Sequence, residues 1–174
     1  MADLQSDILG QVARLPLRPS EANALLPLYE AVSNSLHAIQ EQFGDAKVVQ
    51  SGRIDIEVLR TDINDSPNSV VGFKIIDNGI GLNTANYTSF LTPFSQHKIA
   101  KGGKGIGRLG WLKIFEKIRI ESQYSDNGSL CVRDFDFILR ERDQISPSNG
   151  RAANGDGPGT TVYLREFQSS FLEL

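Results

Sequence analysis

The sequence predicts an α+β fold: a mixed, mostly antiparallel sheet with helices packed on one face, a two-layer sandwich. Two observations carry this. Helical periodicity is concentrated early in the chain and strand-like alternation follows it. The strand patterns are joined mostly by hairpin-like links rather than by intervening helices, which argues against βαβ units. With 174 residues, of which 40% are hydrophobic and 22% charged, the chain has enough material for one domain around one core.

Residues 4–12 fit a short helix. Residues 20–43 read as one long helix, with Leu25, Leu28, Val32, Leu36 and Ile39 at helical spacing. Ser20 suits an N-cap, Glu21 the first turn and Gly44 the stop. Pro27 lies inside the pattern and predicts a kink or a later start. In "RIDIEVLR", residues 53–60, Ile54, Ile56 and Val58 share one face, as in a half-buried strand. "TDINDSPNS" is turn chemistry, and residues 70–76, "VVGFKII", complete an antiparallel hairpin. Residues 83–91 suit a short helix. Residues 92–105 are polar and glycine-rich, with no core pattern. Residues 106–115 read as a helix that buries Trp111, Ile114 and Phe115. Alternation returns at 117–121 and 130–137, a long flexible loop is expected at 146–159, and 160–167 is the last strand.

The formal net charge of −3 gives no electrostatic case for a nucleic-acid ligand of this domain. The single cysteine, Cys131, cannot form an internal disulfide, and reads as a small core residue in a reducing compartment. The start "MADLQSDILGQVARL" lacks the charge order and apolar core of a signal peptide. No apolar run is long enough to cross a membrane as a helix, so a cytoplasmic chain is expected.

The stretch "GGKGIGRLGW" contains G-x-G-x-x-G at Gly105, Gly107 and Gly110. A dinucleotide turn needs a buried strand before it, and "SQHKIAKGGK" is not one. A P-loop needs Ser or Thr after its lysine, and Lys104 is followed by Gly105. Two readings stay open on these residues alone: an anion cradle of backbone N–H groups opening a helix, or a surface loop that holds glycines. Elsewhere, Glu30 and Asn34 stand four apart in "YEAVSN" and share a helix face. Glu30 could take a proton from water and Asn34 could offer oxygen to Mg²⁺, or both could be a solvated face. In "IIDNGIGL" an apolar strand ends at Asp77, with Gly79 and Gly81 following. That carboxylate could accept from an exocyclic amine, or the segment could be an ordinary turn.

Taken in order, E-x-x-x-N on a helix, D-x-G-x-G after a strand, a glycine-rich segment and Gly159-Thr160 on a closing strand resemble the GHKL superfamily. That is the Bergerat-fold ATP-binding domain of gyrase B, heat-shock-ninety chaperones, sensor histidine kinases and MutL. The likeness runs from Glu30 to about Leu164. It implies ATP and Mg²⁺ as ligands, with Glu30 as general base and Asn34 on the Mg²⁺. Asp77 would bind the adenine amine, Gly79 and Gly81 would allow its approach, and Ala38, Ile80 and Leu82 would line the pocket. Thr160 would join the Asp77 network. Gly103, Gly105, Ile106 and Gly107 would wrap the phosphates as a lid, with Lys98 and Lys104 adding charge.

Sensor kinases usually carry Asn where this chain has Glu30, and His37 and His97 are poorly placed as phosphoacceptors, so the resemblance favours an ATPase. The lid segment looks most like that of heat-shock-ninety-like or Microrchidia-like ATPases. The chain departs from the pattern at His37, where relatives typically place Asp; that histidine reads as a helix residue with local hydrogen bonds. Hydrolysing relatives also take a Lys or Arg from a following domain, which is not seen before Leu174. The expectation is therefore a single ATP-binding domain, 1–174, the N-terminal part of a longer protein. It would bind ATP and ADP, hydrolyse slowly alone, and drive self-association as a conformational switch. The alternatives are a nucleotide-sensing module without turnover and a phosphotransfer kinase.

Overall fold

A computed structural model of the chain describes residues 7–61, 68–92, 107–147, 152–153 and 155–172. Six strands form one sheet: β1 (Ile54–Arg60), β2 (Val70–Asp77), β3 (Phe115–Asp126), β4 (Ser129–Phe137), β5 (Ile145–Pro147) and β6 (Gly159–Phe167). Their order is β1-β2-β6-β3-β4-β5, so the last strand is inserted at the middle. All pairings among the described residues are antiparallel, and the expected parallel admixture is not among them. The helices are α1 (Ile8–Arg14), α2 (Glu21–Ala24), α3 (Leu26–Phe43), α4 (Val48–Ser51), α5 (Thr84–Leu91) and α6 (Gly107–Ile114). No described helix is long and apolar enough to cross a membrane.

Register explains where the core lies. Val58, Phe73, Leu164, Ile118 and Phe137 stand in one row across five strands, and Ile56, Ile75, Val162, Ile120 and Phe135 in the next. Side chains directly opposite one another share a face, so both rows point into the helix layer, where their inner members are buried. Helix α3 lies against β2, β6 and β1, and α6 packs between α3, α1 and β3. The opposite face is charged: Lys74 pairs with Glu57, Arg119 with Glu121 and Asp136, and Tyr163 donates to Glu121. The two layers therefore share one apolar interface, as predicted.

Several expected elements move. The single helix over 20–43 is two pieces. Ser20 caps α2 by accepting from the Asn23 N–H at 3.2 Å, Leu25 ends it, and Pro27 sits in the first turn of α3, where its missing N–H costs nothing. Gly44, at φ +72°, closes α3 as expected. The first helix runs from Ile8, capped by Asp7, rather than over 4–12. Ile56 and Val58 are 47% and 49% exposed, because β1 is the sheet edge and the helix layer does not reach across it. Cys131 is half-buried near the β3–β4 hairpin rather than in the core. Part of the expected 146–159 loop is strand: β5 pairs with Phe135–Phe137.

The apolar stripe of α3 is also rotated. Its buried residues are Pro27, Ala31, Ser35 and Ile39, while Leu36 is 50% exposed. The cause is proximity. The turn after β2 approaches so closely that a Cβ on Gly79 would lie 2.6 Å from Ala38. Small side chains face that contact, and the leucines take the flank.

Candidate functional site

One row beyond the apolar ones, the same face of the sheet turns polar. Asp77 of β2 stands opposite Thr160 of β6, Thr160 opposite Ser122 of β3, and Ser122 opposite Arg133 of β4. A buried polar row needs its partners, and each member has them. The Ser35 hydroxyl donates to Asp77 Oδ2 at 2.8 Å, the Gly79 N–H donates to Oδ1 at 2.9 Å, and the Thr160 backbone donates as well. Asp77 is only 8% exposed. Burial pushes its carboxyl up from the ordinary aspartate range, and the three donors pull part of the way back. Ser122 Oγ lies 3.1 Å from Thr160 Oγ1 and accepts from the Leu82 N–H at 2.8 Å. The Arg133 guanidinium is sandwiched 4.4 Å from the Tyr87 ring and 4.5 Å from the Tyr124 ring, and donates to the Leu82 carbonyl.

The turn after Asp77 is fixed at every step. Asn78 accepts from the Arg53 N–H at 2.7 Å and donates to the Ser51 carbonyl at 2.8 Å. Ile80 N–H donates to the Ala38 carbonyl at 3.0 Å. Gly81 has φ +75°, and a Cβ there would lie 2.0 Å from the Gln123 carbonyl oxygen. The two glycines are thus required by protein packing, against α3 and against β3. Asn83 caps α5, accepting from the Asn86 N–H at 2.9 Å. Ile80 and Leu82 are half-buried.

On α3, Glu30, Asn34 and Ala38 follow one another at four-residue steps, all half-buried. Asn34 Nδ2 approaches Glu30 Oε1 at 3.4 Å, so the side chains meet as the spacing predicted. The Glu30 carboxylate presses on the start of α6: a Cβ on Gly107 would lie 1.9 to 2.2 Å from its atoms. The next residue, Arg108, stacks 5.1 Å from the Phe90 ring. Burial draws its pKa down to about 10 against the opposing field of Glu30. Lys98, Gly103, Lys104, Gly105 and Ile106 lie outside the described residues.

The structure thus brings Asp77 together with Thr160, and Glu30 with Asn34 and Gly107, while Ala38 touches the Gly79–Ile80 turn. Four participants were not singled out from sequence: Ser35, Ser122, Arg133 and Arg108. Ser35 had a signal, a hydroxyl inside an i, i+4 line of small and apolar residues (Ala31, Ser35, Ile39). Ser122 and Arg133 meet their partners through the sheet, and Arg108 meets Phe90 between α6 and α5, so no local pattern marked them.

Among the described residues no group of three or more His, Cys, Asp or Glu side chains could cage a metal. A Mg²⁺ held at Asn34 would draw its other ligands from phosphate oxygens and water, the usual mode for this ion. No protein-family model matches the chain, and no curated protein matches it.

Proposed function

We propose that the chain is a Mg²⁺-dependent ATP-binding domain of the GHKL type that hydrolyses ATP slowly and acts as a nucleotide-driven switch. The observation that carries the reading is the buried Asp77 carboxylate, in the polar row beyond an apolar sheet floor. An ionised carboxylate has about four lone-pair positions, and three protein donors reach this one. One acceptor position remains for a ligand donor. An adenine amine fits it, and with that ring edge on Asp77 a guanine carbonyl would bring oxygen against oxygen, which favours adenine.

The α3 flank supplies the other end. With its amide nitrogen on Glu30, Asn34 has its oxygen left for a hard cation. Glu30 would take the proton of an attacking water. Opening and closing around the nucleotide would give the switch, and a longer protein would carry its output as self-association.

The test is calorimetric titration with a non-hydrolysable ATP analogue, with and without Mg²⁺, beside Asp77→Asn and a GTP analogue. Mg²⁺-dependent binding of the ATP analogue, weakened about a hundredfold by Asp77→Asn and absent for the GTP analogue, is expected. Equal binding by wild type and Asp77→Asn would overturn the reading.

A further inference from the structure

We propose that Arg108 is the cation that receives the terminal phosphate of the bound nucleotide, so that this one side chain tells a triphosphate from a diphosphate. The inference rests on the ATP reading above and assigns a residue that neither spacing nor motif singled out.

Position comes first. Arg108 follows Gly107, and Gly107 is the residue on which the Glu30 carboxylate rests. If Glu30 activates the water that attacks the terminal phosphorus, that phosphorus lies beside Glu30. Arg108 is the next residue on α6, and the field of Glu30 reaches it.

Surroundings come second. The guanidinium lies over the Phe90 ring and forms one wall of a cavity of about 100 Å³. The other walls are Ile8, Leu91, Leu109, Phe137, Gln144 and Ile145, of which Gln144 alone has a side-chain acceptor. Its Nη2 is buried and makes no hydrogen bond among the described residues. A guanidinium has five N–H donors in a fixed fork, matched in shape to a phosphoryl group. A wall that only had to fill space would be better served by Met or Leu, because an unpaired buried donor is costly. The field of Glu30 reaches Arg108, yet no ion pair forms between them. The cation is held near the reacting end with an unused donor.

Its part in turnover follows. The water oxygen bonds to the terminal phosphorus while the bond from phosphorus to the bridging oxygen breaks. ADP leaves with that electron pair, and Glu30 takes the water proton. Charge spread over the phosphoryl oxygens during this exchange is where a guanidinium contributes most.

The experiment compares wild type, Arg108→Met and Arg108→Lys. Each is titrated with a non-hydrolysable ATP analogue, ADP and AMP in Mg²⁺, and each is melted without ligand. For Arg108→Met, affinity for the ATP analogue should fall about tenfold or more. ADP and AMP should bind as they do to wild type, and the ligand-free Tm should be equal or higher. Arg108→Lys should recover part of the ATP affinity, because it keeps the charge and loses the fork. A merely structural arginine would lower the Tm and weaken all three ligands together, and that pattern would overturn the proposal. So would unchanged ATP affinity in Arg108→Met. If wild type bound neither the ATP analogue nor ADP, the ATP reading itself would fall, and this assignment with it.

Discussion

Asp77 has its charge stabilised by the Ser35 hydroxyl, the Gly79 amide and the Thr160 backbone, and destabilised by burial, which wins. Its folded-state pKa therefore lies above the unfolded one. The native state holds the proton more tightly than the unfolded chain does, so ionisation costs stability at neutral pH. That cost is relieved as pH falls through the folded pKa. In Asp77→Asn the amide can accept from Gly79 and donate to a reoriented Ser35 hydroxyl. The ligand-free variant is expected to melt slightly above wild type at neutral pH. The gap should close as pH falls through the folded pKa of Asp77 towards the ordinary aspartate range, as thermal melts across pH would show. A gap that widened on acidification would contradict this balance. If Asp77 binds the base as proposed, its carboxylate costs stability for the sake of that site, a common trade at functional residues.

At the scale of elements, α3 is set by its two ends and by cross-links to its neighbours. Pro27 starts it, Gly44 ends it, and the Trp111 indole of α6 donates to the Pro27 carbonyl at 3.1 Å. Trp111→Phe keeps most of the apolar volume and removes this bond, while the Pro27 carbonyl keeps its place in the helical ladder. It should cost about 0.5–1.5 kcal/mol in urea denaturation. Caps and breakers such as Ser20, Pro27, Gly44 and Asn83 were legible in the sequence because they act within a few residues of themselves. The stripe that α3 buries was not. Counting leucines selects the Leu28–Val32–Leu36 flank, whereas the buried line is Pro27, Ala31, Ser35 and Ile39, with Gly79 pressed against Ala38 and Ile39. Local spacing likewise revealed Glu30 with Asn34, and Asp77 with its glycines. Ser122 and Arg133 meet Leu82 across 40 and 51 residues of chain, and no local pattern encodes that.

Over the whole molecule, the insertion of β6 between β2 and β3 governs both fold and site. It brings Thr160 against Asp77 and Ser122, joining two halves of sheet that are otherwise separate ladders. The α+β class followed from the order of patterns alone. The edge position of β1, and hence the exposure of Ile56 and Val58, followed from a pairing made by the last strand, which is distant in sequence from everything it touches. Such non-local closure slows folding and makes it cooperative.

The turn between β2 and α5 is irregular in shape, yet its amides are bound like those of a strand. Gly79 donates to the Asp77 side chain, Ile80 to the Ala38 carbonyl and Leu82 to Ser122, so the three acceptors lie in β2, α3 and β3. No local fraying frees all three, because each acceptor belongs to a different part of the core. Their hydrogens should therefore exchange with solvent deuterium only when the domain unfolds as a unit, at the rate set by global stability rather than by loop motion. Nucleotide would then slow these three amides by the factor by which it stabilises the folded state. A turn would thereby serve as a built-in gauge of the stability of the whole protein.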